Sequence, residues 1–417
     1  MMTQVIRRLI DDGVKPTSIL YVSVDTPTYT GLALERFLEL FLTSHDHGHD
    51  QRLFVFFDEI QYHPDWERHL KSLVDSYPGY RFIASGSAAA ALKVKSQDSG
   101  AGRFTDFLLP PLTFAEFLDF RGPQSGLVAY DPDAIGCEDI ATLNGAFVDY
   151  LNFGGFPEAV LHDEVRQQMD RFIANDIVDK VLLRDLPSLY GISDTQELKR
   201  LFTTLAYNTG QEVSYEGLSK ASGVAKNTLR KYLDFLEAAF LIHRLNRVDL
   251  DGRRFKRVTR FKVYLTNICI RAALFGPITQ EDPLIGSIVE SAYVGQFVQS
   301  LLSETLHYAR WKDGEVDLVR IVGPRREVSS AEEIKWTDHT FDRPEEMRSL
   351  IQFCHENGLA EGSVLTRTSV GKREVDGIRL EYAPVSVGTL VAANVAVHGP
   401  LGHGRHPKNT QRVGGGR

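Results

Sequence analysis

The sequence predicts an α/β protein that begins on a mostly parallel sheet, and three observations carry that expectation. Leu53-Phe54-Val55-Phe56-Phe57 is an unbroken apolar run, the pattern of a strand buried on both faces. Two further apolar strands bracket it at 19–24 and 81–87. Helical patterns lie between them, one at 32–42 with Leu34, Phe37, Leu38 and Phe41 on one stripe, and one at 64–77 with Pro64 suited to its first turn. A shorter helix at 5–12 precedes the first strand. Strand and helix alternate, as parallel pairing through crossover helices requires.

The central run ends in Asp58-Glu59. Ligands of parallel sheets bind at the carboxyl ends of the strands. An Asp followed by a Glu there is the Walker B arrangement of nucleotide hydrolases, in which Asp58 would hold Mg²⁺ and Glu59 would polarise the attacking water. The competing reading is a solvated acidic turn, and the neighbouring segments favour the first.

Composition sets the outer bounds. A chain of 417 residues with 43% apolar content suits two or three globular domains. The apolar runs are far short of a membrane span and the N-terminus has no signal-peptide pattern. Cys137, Cys269 and Cys354 stand too far apart in sequence to suggest a disulfide framework or a zinc cluster, so a reducing cytoplasm is expected. A net charge of −8 argues against nucleic-acid binding by the whole surface and leaves room for a local basic patch.

The segments DEIQYHPDWERHLKSLVD, FIASGSAAAAL, AGRF and LPPLTFAEFL resemble those of the prokaryotic AAA-type ATPases that carry the C-terminal domain of unknown function 4143. The resemblance extends to about residue 390. It implies ATP and Mg²⁺ as cofactors, Asp58 and Glu59 as the Walker B pair, and Ser85 or Ser87 as the polar sensor residue ending the next strand. It also makes Arg103 a candidate phosphate contact, with a plain surface arginine as the alternative. One departure bears on activity: no G-x-x-x-x-G-K-[ST] phosphate loop occurs in the 417 residues. A displaced start or a shortened chain would explain that, and so would decay of the loop in a protein that has lost hydrolysis. The first is favoured, because the family's first strand lies inside the sheet and its loss leaves ladder edges unpaired.

Residues 121–140, punctuated by Gly122, Pro123, Gly126, Pro132 and Gly136, read as a linker. Gly154-Gly155-Phe156-Pro157-Glu158 also matches the family; without lysine or hydroxyl it is a tight turn, not a phosphate loop. Three helical patterns follow at 197–240, then a hairpin about Asp251-Gly252, together the outline of a winged helix. Lys226, Asn227, Arg230 and Lys231 lie early on the third helix, the element that enters the major groove in DNA readers. Arg253, Arg254, Lys256, Arg257, Arg260 and Lys262 form a basic cluster on the returning strand. A winged helix used only for protein packing is the bland alternative to DNA contact.

The C-terminal part holds Glu290 on a helix, Asp317 on a hairpin, and Glu333 and Lys335 on a further strand, an order similar to the PD-(D/E)xK nuclease core. Carboxylates there would hold Mg²⁺ or Mn²⁺, with Asp317 and Glu333 as ligands and Lys335 orienting water. Glu333 and Lys335 share a face because strands repeat every two residues. An E-x-K triplet alone is common on surface strands, so the order of all four residues carries the expectation. Asn267 stands where relatives usually have an aspartate.

The expected domains are 1–120, an AAA-type ATPase domain without Walker A; 121–140, a linker; 141–272, a helical and winged-helix domain; 273–393, a restriction-nuclease-like α/β domain; and 394–417, a disordered tail. Three functions are open: an AAA-type ATP-binding protein unable to hydrolyse ATP as sequenced, a Mg²⁺-dependent DNA nuclease regulated by its N-terminal domain, and a non-enzymatic DNA-binding or scaffold protein. Nucleotide, DNA and a second copy of the chain are the expected partners, with no membrane.

Overall fold

Strand β2 (Phe54–Asp58) is the middle of a three-stranded sheet. It pairs in parallel with β1 (Ile19–Ser23) on one side and β3 (Arg81–Ala84) on the other. Val55, Phe56 and Phe57 are fully buried, so the strand is enclosed on both faces as its composition predicts. Helices Leu34–His45 and Trp66–Ser76 supply Phe37, Leu38, Trp66, Leu70 and Leu73 to the core that covers Val55 and Phe57. A computed structural model describes residues 2–29, 31–48, 51–86, 103–105, 107, 109–122, 128–129, 136–137, 139–252, 259–298 and 305–398.

The chain divides into two units. The first combines residues 1–109 with 174–204 and 215–242, and so holds the three-stranded sheet and the helices Tyr215–Ser222 and Lys226–Ala238. The second combines 110–173, 205–214 and 243–417. The strand pair β4 (Val128–Ala129) and β5 (Gly136–Cys137) lies inside the expected linker. Each unit is thus assembled from discontinuous segments, unlike the consecutive domains read from the sequence.

The second unit is built on a mixed nine-stranded sheet of order β13-β14-β12-β11-β10-β9-β7-β8-β6. In chain order these strands are β6 (Glu212–Ser214), β7 (Ile242–Val248), β8 (Arg260–Leu265), β9 (Leu306–Arg310), β10 (Glu315–Val322), β11 (Glu327–Ile334), β12 (Glu361–Thr366), β13 (Gly371–Val375) and β14 (Ile378–Pro384). The hairpin assigned to a wing is β7 and β8, and β7 runs parallel to β9. The expected boundary at 272/273 therefore falls within one continuous sheet. Helix Arg348–Glu356 places Leu350, Ile351 and Phe353 against Val316, Val319 and Val364 in the core of this sheet. Helix Val385–His398 extends past residue 394, where the tail was expected to begin; residues 399–417 lie outside the described part. Among the described residues, no helix is long and apolar enough to cross a membrane.

The Gly-Gly-Phe-Pro-Glu run is a turn between helices Ile140–Phe153 and Pro157–Leu161. Gly155 has φ +93°, and a Cβ there would fall 2.3 Å from the Asn267 side chain, so only glycine fits. Asn267 in turn accepts the Cys269 N–H at 3.2 Å.

Candidate functional site

In the first unit the sheet carries Asp58 and Ser85 to the same end. The Ser85 N–H donates to the Phe57 carbonyl and the Ile60 N–H to the Ser85 carbonyl, both at 2.9 Å, which fixes the exit of β3 beside the exit of β2. The Ser85 hydroxyl donates to Asp58 Oδ1, and the Tyr21 hydroxyl of β1 donates to Asp58 Oδ2 at 2.7 Å. That hydrogen bond, with burial second, pushes the Tyr21 phenol up to about 12, so it stays a donor. Glu59 turns the chain sharply with φ +54°, a conformation uncommon and strained outside glycine. Its carboxylate accepts from Gln61 Nε2 at 2.6 Å and pairs with Lys180 at 3.2 Å.

Lys180 comes from a stretch whose sequence gave no functional signal. Residues Val181–Asp185 wind with π-type hydrogen bonding, and this segment supplies Asp185, which accepts from Tyr62 at 2.5 Å. Arg184 lies 4.8 Å over the Tyr62 ring. The turn 59–62 is thereby held by a segment more than a hundred residues away in sequence. Arg103 pairs with Asp75 at 2.7 Å on a half-exposed surface, the plain-arginine arrangement. Ser87 lies outside the described residues.

Oxygen donors suit Mg²⁺, and Asp58 with Ser85 offers a carboxylate and a hydroxyl of that kind. These two residues fit the metal-holding role of a Walker B aspartate and its neighbour.

The second unit brings Glu290, Asp317, Glu333 and Lys335 together. Lys335 Nζ is 2.9 Å from Glu333 Oε1 and 3.4 Å from Asp317 Oδ2. The Asp317 N–H donates to Glu333 at 3.2 Å, and the Ile334 N–H donates to Asp317 at 3.1 Å. Asp317 sits where the pairing of β10 with β9 slips between Val316 and Val319. Such an irregularity re-aims a side chain.

At the middle of the cluster stands Lys262, expected on an exposed basic strand. It is 4% exposed instead. Its ammonium lies 2.9 Å from Glu290, 2.9 Å from Glu315 and 3.3 Å from Asp317. The Tyr264 hydroxyl donates to Glu290 at 2.6 Å. Asp317 and Glu333, expected as metal ligands, are both ion-paired to lysines here, Asp317 to Lys262 and Lys335 and Glu333 to Lys335. Two lysines supply the positive charge.

Charge and burial set the protonation of this cluster. Burial, and then the Asp317 charge, push Glu290 and Glu333 each up to about 7. Burial alone would raise Asp317 too, but Lys262 and then Lys335 outweigh it and hold Asp317 below its ordinary value. Burial pulls Lys262 down, yet the surrounding Tyr264, Glu290, Asp317 and Glu315 raise it well above a free lysine.

The pairing continues along the sheet. Glu315 also meets Arg310 at 3.2 Å, and Glu212 meets Arg310 at 3.6 Å and Arg260 at 3.1 Å. Tyr308 donates to Glu212 at 2.9 Å. Of the expected DNA-contacting residues, Lys226, Asn227, Arg230 and Lys231 are exposed on helix Lys226–Ala238. Arg230 lies 5.0 Å over the Tyr215 ring and Lys226 is 3.9 Å from Glu216. Arg253, Arg254, Lys256 and Arg257 lie outside the described residues.

Comparison with known proteins supports the N-terminal reading and corrects the C-terminal one. An "Uncharacterized protein" of Haemophilus influenzae is 23% identical over 379 residues, covering 90% of this chain and 87% of its own length. The "Uncharacterized protein MJ1544" of Methanocaldococcus jannaschii is 24% identical over 314 residues, covering 74% and 67%. "Uncharacterized protein Rv2008c" of Mycobacterium tuberculosis is 27% identical over 273 residues, covering 63% and 55%. No solved structure matches. Residues 144–281 match the family described as "Domain of unknown function (DUF8612)", which replaces the expected domain 4143. Residues 1–118 match the family described as "AAA domain", so the chain carries an N-terminal AAA-type P-loop domain followed by that domain of unknown function.

Proposed function

We propose that residues 1–118 form the carboxylate half of an AAA-type ATP site, with Asp58 as Mg²⁺ ligand, Ser85 as its polar neighbour and Glu59 as the residue that orients water. The observation that carries this reading is the Asp58–Ser85 pair at the carboxyl ends of adjacent parallel strands. Asp58 and Ser85 would hold Mg²⁺, which when bound would supply positive charge to offset that of the nucleotide's phosphates. The chain's own residues do the rest: Tyr21 and Ser85 orient the Asp58 carboxylate, while Lys180 and Gln61 hold Glu59.

The 417 residues contain no phosphate loop, so this chain is expected neither to bind ATP tightly nor to hydrolyse it. Turnover at ~1 s⁻¹ or faster, abolished by Glu59→Gln, would contradict this expectation. A chain extended at its N-terminus by a strand and a G-x-x-x-x-G-K-[ST] loop should bind ATP·Mg²⁺. Asp58→Ala should weaken that binding, and unchanged binding would remove Asp58 from the metal role.

A second reading, a Mg²⁺-dependent DNA nuclease in the second unit, draws support from the meeting of Glu290, Asp317, Glu333 and Lys335. Against it stands Lys262, whose ammonium occupies the middle of the carboxylates. We therefore favour a non-cleaving role for the second unit, and place any DNA contact on the first unit's helix Lys226–Ala238, with Lys226, Asn227, Arg230 and Lys231 as the contact surface. Metal-dependent cleavage of DNA that is lost on Asp317→Ala would reverse that preference.

A further inference from the structure

We infer that Lys262 is itself the cation of the C-terminal carboxylate cluster, and that this pocket is complete without a divalent metal. The ammonium has three N–H groups and three carboxylate neighbours, Glu290, Glu315 and Asp317, from a helix and the strand β10. Its nitrogen is 2.9–3.3 Å from their oxygens. Mg²⁺ draws oxygen ligands to about 2.1 Å and Ca²⁺ to about 2.3–2.6 Å. The three contacts are thus those of hydrogen bonds donated by nitrogen, and the ammonium stands where a coordinated cation would have to sit.

Placement of the lysine argues the same way. Lys262 lies on β8 between the buried residues Phe261 and Val263, and the Tyr308 ring stands 5.5 Å from its ammonium. Its side chain is enclosed, so a metal could enter only by expelling it. Expulsion would part the buried ammonium from all three of its carboxylate partners, which is strongly unfavourable. The second lysine completes the arrangement, because Lys335 joins Asp317 to Glu333. From Arg260 through Glu212, Arg310, Glu315, Lys262, Asp317 and Lys335 to Glu333, successive partners alternate in sign across the sheet. Alternation of this kind sets an opposite charge beside each member of the series, from a different strand at every step but that from Lys335 to Glu333. The cluster is in this account a pinned electrostatic seam that holds β8, β10, β11 and helix Ile285–Gly295 in register.

Mn²⁺ binding to the full chain, followed by electron paramagnetic resonance, tests this. Asp58→Asn removes the first unit's carboxylate from the readout and serves as the parent. The parent should show no saturable site tighter than about 1 mM, the weak end of protein cation sites. Adding Lys262→Met should create one site at least about tenfold tighter. Further addition of Asp317→Asn should abolish it. A folded Lys262→Met variant that gains no site overturns the inference. So does a parent that already binds Mn²⁺ in a manner lost on Asp317→Asn. Should Lys262→Met fail to fold, the parent's melting temperature with Mg²⁺ or with chelator decides the matter, since a metal bound only by the native state raises it. No difference supports the inference, and a rise abolished by Asp317→Asn overturns it.

Discussion

Asp58 and Asp317 are both carboxylates on β-strands of α/β units, each within reach of further acids, yet their surroundings differ in kind. Asp58 is half-buried and receives neutral hydroxyls from Tyr21 and Ser85. Those donors orient the carboxylate without bringing a charge of their own, which is what the proposed Mg²⁺ role of Asp58 asks for. Asp317 is 8% exposed and faces two ammonium groups. Its charge is already matched. The lesson is that a constellation of acids is defined by what neutralises it: hydroxyl partners leave a charge for a ligand, and lysine partners consume it.

The largest expected effect comes from breaking the buried match. Lys262→Ala leaves Glu290, Glu315 and Asp317 short of their shared cation, and removing one partner of a buried pair costs roughly 3–5 kcal/mol. Lys180→Ala, at the partly exposed Glu59 pair, should cost at most about 1 kcal/mol. Denaturant midpoints of the two variants measure the contrast, and equal losses would erase it.

Next is the pH response of the buried acids. Glu290 and Glu333 are raised to about 7, so the folded state binds their protons more tightly than the unfolded chain does. Their contribution is fully favourable below the unfolded value of about 4.5 and is lost as pH rises through about 7. The sign follows from the raised folded value, opposite to that for a carboxylate held low. Glu290→Gln or Glu333→Gln should flatten the decline in stability across this window, read as denaturant midpoint against pH. An unaltered slope would mean that these acids ionise as freely as exposed ones.

A smaller effect is expected at Asp58. Tyr21→Phe removes one hydrogen bond from a half-exposed phenol and should cost about 0.5–1.5 kcal/mol. A loss as large as that of Lys262→Ala would show that the two carboxylates are held alike. The smallest concerns DNA: alanines at Lys226, Arg230 and Lys231 should lessen the salt slope of any DNA affinity by about 0.9 for each phosphate contact removed. A slope that does not move would assign this exposed face to another role.

Much of the first unit was legible because local signals agree there. Phe54 to Phe57 must be buried on both faces, and the helices beside it are amphipathic with ordinary spacing. Asp58 at the strand's end followed from that pattern. The contact of Lys180 with Glu59 did not, since nothing local to either residue encodes a pairing across 121 positions. In the second unit, the period of two set Glu333 and Lys335 on one face, and helix and hairpin brought Glu290 and Asp317. Lys262 was misread for its neighbours in charge, Arg253 to Arg260. Its apolar neighbours, Phe261, Val263, Tyr264 and Leu265, held the better signal. A strand apolar at both parities is enclosed, and a lysine within it needs acidic partners. Joining β7 and β8 to the C-terminal strands required long-range pairing that no periodicity reveals.

The most direct measurement is the anomalous scattering of Mn²⁺ in crystals of the full chain soaked with the metal. The account predicts density for the Lys262 ammonium between Glu290, Glu315 and Asp317, with no anomalous peak among them. A peak within coordination distance of Asp317 and Glu333, with Lys262 turned away, would contradict it.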